Sequence, residues 1–551
     1  MKLKKHISIV LLVVLAGFAS CDDQFDLDLQ LNPNAVTEEN ADVDLFFNAI
    51  QLNLAGFFNN ASNLTMPAVR MTAMTGGNNY ENNWSPNSFN GLWNSAYASI
   101  FPDINAMIVI AEEREQFVHV GAGQIMQGYV LMTLVDFFGD IPWTEALQGV
   151  SVPSPASDDD EGIYTVALNL LDAGIASLAK TSRGTPSNDF FYGGDAAQWT
   201  KAANTFKMKA YLNMGNTSGF NSIVSSGNYI SSSADDFAFP YGTNRVNPNS
   251  RHPFYNEQYE VGGGRYHSNA FMYELAFRKS VPDPRVRYYY YRQDLDPASA
   301  DQFTLDCPFA VKPFHYPSDM VFCLATPDNT DPNASLGYWG RDHGNNDGTP
   351  PDGHLKTSWG AYPAAGKFDA DDATDVKNAG TDGGLGGGIA PIMMSSFVDF
   401  MRAESALDGG DAATARTLME AGMRNSIDRV MSFSASVTDV DAAFAPSQAD
   451  IDAYVAEVLG EYDAGDAATK MDLLQQQNHF AMFGNGYETY NAYRRTAAPR
   501  NLQFGREADL REFPRLMLYP ADYVNLNASI SGNRVISEQV FWDTLPAGAV
   551  D

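Results

Sequence analysis

The chain has 551 residues, with 35 Lys and Arg against 67 Asp and Glu, a formal net charge of −32 at pH 7. So acidic a surface repels nucleic-acid phosphates and anionic lipid headgroups, which excludes a nucleic-acid partner. Hydrophobic residues at 44% and aromatics at 12% suffice for a packed core, which excludes disorder over most of the chain.

Taken in chain order, the sequence opens on an address. Lys2, Lys4 and Lys5 precede an apolar stretch from Ile7 to Leu15, and the small residues Ala16, Gly17, Ala19 and Ser20 lead to Cys21. Residues 1–20 read as a signal peptide. Phe18-Ala19-Ser20-Cys21 looks like a relaxed lipobox that makes Cys21 the lipidated first residue of the mature chain; a plain secreted protein is the alternative reading. Loss of residues 1–20 removes three lysines and no acids, leaving 32 basic against 67 acidic residues, or −35. The acidic Asp22-Asp23-Gln24-Phe25-Asp26 resembles the surface-export signal of lipoproteins in the phylum Bacteroidota. Residues 21–35, turn-rich at Asn32-Pro33-Asn34, read as a lipidated tether. No later stretch is long and apolar enough to span a bilayer.

The body, 36–551, is read as mainly α. Ile163, Val166, Ala167, Leu170, Leu171, Ile175 and Leu178 make one apolar stripe at helical spacing. Ala412, Ala415, Leu418, Met419, Gly422, Met423 and Ile427 make another, with Gly422 and Ser426 allowing close helix approach. Further helices are predicted over 42–57, 91–112, 121–137, 196–214, 396–407, 449–459 and 467–483. They fall in two blocks, about 36–215 and 395–495, whose short-linked helix pairs suggest a solenoid-like scaffold. Between them, about 216–394 is a loop-rich part, dense in Gly, Pro, Asn and aromatics, with a glycine run over 383–388. An irregular C-terminal segment, 496–551, closes the chain.

Chemistry is tested next. No G-x-S-x-G, H-E-x-x-H, P-loop or G-x-G-x-x-G is present, and Ser177 with Lys180 sits alone at a helix end. Asp136 and Asp140, around a turn at Gly139, read as structural hydrogen-bonding groups. Asp342, Asn345 and Asp347 are oxygen ligands at spacings that faintly resemble half a calcium loop, yet His343 suits Ca²⁺ badly and no Glu closes the loop. Cys307 and Cys323, sixteen positions apart, are read either as a disulfide or as two buried thiols. Arg494, Arg495, Arg500, Arg506, Arg511 and Arg515 are read as staples binding internal carboxylates and carbonyls. No cofactor is expected.

Several motifs then fall into one order: Val135-Asp-Phe-Phe-Gly-Asp-Ile-Pro-Trp-Thr-Glu-Ala146; Gly194-Asp195 with Trp199, Lys201, Asn204, Lys207 and Lys209; Arg402-Ala403-Glu404-Ser405-Ala406; Arg494-Arg495-Thr496; Leu518-Tyr519-Pro520; and Phe541-Trp542-Asp543. In this order they resemble the SusD/RagB family of nutrient-binding outer-membrane lipoproteins, in particular its SusD-like branch two. Ser405 and Tyr493 depart from the residues usual there. The resemblance implies tetratricopeptide-like helix pairs carrying an irregular, loop-rich ligand-binding part. It also implies a lipid anchor in the outer membrane facing outward, a SusC-like TonB-dependent transporter as partner, and an oligosaccharide or, as in RagB, a peptide as ligand. An enzyme acting on polysaccharide is the remaining reading.

Sugar recognition needs flat rings for C–H faces and planar polar groups for hydroxyls. Three loops offer both: Tyr80, Asn83 and Trp84 on the first; Arg251, Tyr255 and Tyr266 on the second; Trp339, Arg341 and, further on, Trp359 on the third. Trp93, Trp143, Trp199 and Trp542 are assigned to the core.

Overall fold

The computed structural model describes residues 42–77, 79–296, 311–323, 336–345, 353–376 and 380–550. The chain divides into two units, Met1–Val43 and Asp44–Asp551; the second is the body described below. Cys21, Cys307 and Asp347 lie outside the described residues.

The first block runs through α1 (Val43–Thr65), α2 (Phe101–Glu113), α3 (Phe117–Phe138), α4 (Asp160–Leu178), α5 (Ala196–Asn213) and α6 (Thr217–Ser226). A π-helical stretch, Ser95–Ile100, leads into α2, so the helix predicted over 91–112 is continuous but locally widened. Helix α3 is buried on nearly every side and packs along α4. Glycine makes that approach feasible: a Cβ on Gly174 would lie 2.7 Å from the Ile125 side chain and 2.9 Å from the Gly121 carbonyl. Aspartates start the helices, as Asp159 accepts from the Gly162 N–H of α4 and Asp195 from the Ala197 and Gln198 N–H groups of α5.

The second block holds α8 (Ser395–Asp408), α9 (Ala412–Val437), α10 (Gln448–Ala464), α11 (Ala467–Ala481) and α12 (Gly486–Thr496). Gly422 of α9 meets the Phe400 ring of α8, where a Cβ would come within 2.9 Å, as the apolar spacing implies. Asp411 caps α9, Ser447 and Asp450 form a reciprocal capping box on α10, and Asp466 caps α11. Arg495 ties the blocks together: its guanidinium pairs with Glu404 of α8 and donates to Asn213 of α5 at 2.6 Å.

Between the blocks the described chain carries short elements, chiefly α7 (Asn269–Ala276) and four strands. Strand β1 (Phe237–Pro240) pairs antiparallel with β4 (Ile389–Met393), and β2 (Tyr290–Tyr291) with β3 (Ser358–Trp359). The glycine run feeding β4 is a strip of backbone contact, because Cβ atoms on Gly383 and Gly388 would each lie 2.2 Å from a carbonyl oxygen, of Gly366 and Pro363. The C-terminal segment wraps back and ends on a short helix, α13 (Ala521–Leu526), and a turn around Trp542. The fold is mainly α, a scaffold of tetratricopeptide-like helix pairs bearing a loop-rich part. Among the described residues no helix is long and apolar enough to cross a membrane.

Candidate functional site

The motif Val135–Ala146 is structural. Asp136, at the end of α3, is fully buried, and its carboxylate accepts from Tyr164 (2.6 Å), Tyr487 (2.5 Å), Asn491 (2.9 Å) and the Trp542 indole (2.9 Å). Lys209 Nζ stands 3.4 Å away. Gly139 then turns the chain with φ +69°, which glycine adopts without steric cost. Two of the arginines read as staples act so here: Arg494 donates to the carbonyls of Asp136 (2.8 Å) and Arg515 (2.5 Å), and Arg515 grips Asp543.

The loops meet elsewhere. Asn79 caps a helical turn, Tyr80–Asn83, by accepting from the Asn82 N–H at 2.9 Å. Gly76 and Gly77 let the preceding strand of chain lie against that turn, since a Cβ on either would come within 2.7 Å of Asn83 or Asn82. Tyr80 donates its N–H to the Leu510 carbonyl, and its hydroxyl lies 3.1 Å from His343 Nε2. The next link is Gln503, whose side chain donates to Asp342 (2.7 Å) and to the Val321 carbonyl (3.0 Å) and accepts from the His343 N–H (2.9 Å). Arg70 donates to the carbonyl of Gln503 itself. A third strap comes from 311–317, where His315 Nε2 lies 2.9 Å from the Gly505 carbonyl and Tyr316 donates to that of Phe504. Three segments far apart in sequence are thus knotted by one neutral amide.

Burial sets the electrostatics of the knot. Asp342 is fully enclosed, which raises its carboxyl to about 6 despite donors from Gln503 and the Cys323 N–H. His343 is pushed well below its ordinary value by the same burial, with the Arg70 charge adding to it, so its ring is neutral.

Beside this knot opens a cavity of about 740 Å³. Its walls include Glu81, His315, Phe504, Leu510, Arg511 and Phe513. Mixed charge and apolar rings give it the means to hold a polar ligand with apolar faces.

None of the nine ligand-binding residues predicted from sequence lines this cavity. Tyr80 and Trp84 are buried and stacked on one another at 5.9 Å, and Asn83 is half-buried beside them. Arg341 and Tyr266 are buried together, with 4.8 Å between the guanidinium and the ring. Arg251 and Tyr255 belong to a different network, with Arg251 paired to Glu260 and Tyr255 bonded to the Asp382 carbonyl. Trp339 lies in a buried cluster with Tyr316, Phe322, Cys323 and Leu355. Trp359 is stacked on Phe254 at 4.1 Å. Trp84, Trp339 and Trp359, the stacking candidates read from sequence, are all buried, each packed in an aromatic or apolar cluster. Asp342 and Asn345, whose spacing only faintly resembles half a calcium loop, are both buried with side-chain oxygens accepting from protein donors. Among the described residues the acidic group with ligand-like spacing is Asp140, Asp159 and Asp160, and each of these accepts from nearby N–H donors. Cys323 is disulfide-bonded.

Gln503, Phe504, Leu510 and Phe513 were not singled out from sequence. The one signal available was the alternation of apolar and charged residues in 504–513, which marks a half-buried stretch but not what it faces.

A helical-pair scaffold carries a cavity beside knotted loops. Comparison with known proteins gives it a family. Residues 33–304 match the model described as "Starch-binding associating with outer membrane", and residues 389–517 match "Susd and RagB outer membrane lipoprotein". The chain belongs to the SusD/RagB family and is a nutrient-binding outer-membrane protein. Among solved structures it is similar to a chitin-binding protein (TM-score 0.65, 18% identity, 92% of this chain and 100% of the other). It is similar also to a SusD-like protein of the Bacteroidetes (0.66, 19%, 92% and 100%). A third is a chitin-binding SusD homologue from Flavobacterium johnsoniae (0.59, 16%, 92% and 99%). No curated protein matches the chain.

Proposed function

We propose that this chain is a surface lipoprotein, anchored through Cys21, that binds an oligosaccharide without turning it over and delivers it to a SusC-type TonB-dependent transporter. The observation that carries the ligand site is the 740 Å³ cavity beside the Gln503 knot, where the Tyr80 turn, the loop-rich part and the C-terminal segment converge. Glycan is preferred over peptide because two structurally similar proteins are described as chitin-binding.

One feature favours the peptide reading. The cavity walls carry Glu81, Glu507 and Glu512 together with Arg70, Arg511 and Arg515, a charge content that suits a peptide with ionised side chains. Calorimetry separates the two. Chito-oligosaccharides and malto-oligosaccharides are titrated beside acidic, neutral and cationic peptides, and saturable binding is expected from a saccharide. Binding confined to peptides overturns the glycan reading, and hydrolysis of any panel member overturns the non-catalytic one.

A further inference from the structure

None of the seven tryptophans stands open to solvent: six are buried, and Trp143 is half-buried. Among the described residues the exposed phenylalanines are Phe190, at 37%, and Phe314, at 93%. A phenylalanine left fully in water forgoes about 2 kcal/mol of burial, so its setting calls for a reason.

Mobility of a loop tip does not supply one. The residue that follows, His315, lies against the Gly505 carbonyl and lines the cavity. One further on, Tyr316 is buried in the cluster with Trp339 and donates to the Phe504 carbonyl. The Tyr316 N–H closes a turn onto the Pro313 carbonyl, and Lys312 Nζ donates to that of Ser318. Prolines at 313 and 317 restrict the backbone on both sides. Phe314 is therefore held out by a loop fastened at several points, with its ring edge-on to His315 at 5.5 Å.

We propose that Phe314 is the stacking platform of the ligand site, receiving the C–H face of a pyranose ring as an oligosaccharide leaves or enters the cavity behind His315. The assignment rests on the glycan reading and deepens it. A rigid aromatic with both faces in water fits that task, since stacking on it needs no ordering of the protein. The buried tryptophans cannot take this role without leaving their clusters.

The test uses the full mature chain and the saccharide that binds the parent most tightly. Phe314→Ala is expected to weaken that binding by about tenfold or more, and to leave the thermal midpoint unchanged because the ring packs on so little. Phe314→Trp restores affinity, whereas Phe314→Leu, apolar but without a flat face, does not. Unchanged affinity in Phe314→Ala overturns the assignment while the glycan reading stands. Restoration by Leu overturns stacking as the mode of contact. A parent that binds no saccharide overturns the glycan reading itself, and the assignment with it.

Discussion

Four donors and a lysine surround the carboxylate of Asp136, which they draw from α4, α5, α12 and the C-terminal turn. Replacing it strands them. Asp136→Ala leaves Tyr164, Tyr487 and Trp542 without an acceptor and Lys209 with one carboxylate fewer, and is expected to cost about 3–5 kcal/mol in chemical denaturation. A loss under 1 kcal/mol would mean the carboxylate is not the centre of that network. Asp342 responds to pH instead. Burial raises its carboxyl to about 6, so the folded protein keeps a proton that the unfolded chain sheds from 3.8 upward. Its contribution to stability is therefore greatest below the unfolded value and falls as pH rises through 6. Asp342→Asn removes the titration, so stability relative to the parent should shift in the variant's favour between pH 4 and pH 7, by about 3 kcal/mol at most. A difference that stays flat over this range would show that Asp342 titrates normally.

Among the elements, close packing and exposure make opposite demands on glycine. Gly174 sits between α3 and α4 with no room for a methyl group, and Gly174→Ala is expected to destabilise by about 1–3 kcal/mol. Gly460, on the exposed side of α10, has nothing within 4 Å, and Gly460→Ala should stabilise by about 1 kcal/mol. Thermal midpoints moving the same way for both would refute this reading of the helix contacts. The same contrast explains which elements were legible in the sequence. Helices α4 and α9 bury one face against neighbours, so their apolar residues recur at helical spacing. Helix α12 was not predicted at all. It is buried from Gly486 to Arg494, and Glu488, Asn491 and Arg494 lie in polar networks, so its buried face carries tyrosines and polar groups rather than the aliphatic residues that mark α4 and α9. The site was hidden for a related reason. A lone Gln503 signals nothing until Asp342, Val321 and His343 are beside it, and those neighbours are set by tertiary folding alone.

Across the whole molecule, the acidic surplus does local tasks before it does a global one. Aspartates cap α4, α5, α9 and α11 and pair with arginines that hold the segments together. The proposed anchor at Cys21 has its own test. Cys21→Ala should leave the outer-membrane fraction and take up no fatty-acid label, while the parent stays in that fraction and is labelled. An unlabelled parent would sink the anchor.

The Trp542 indole that completes the shell of Asp136 comes 406 positions later in the chain. Until Tyr487, Asn491 and Trp542 arrive, the first helical block holds a buried charge that its own residues only partly satisfy. Such a block gains little by closing early. In a chain crossing a membrane N-terminus first, the shell around Asp136 is therefore completed only after residue 542 has emerged.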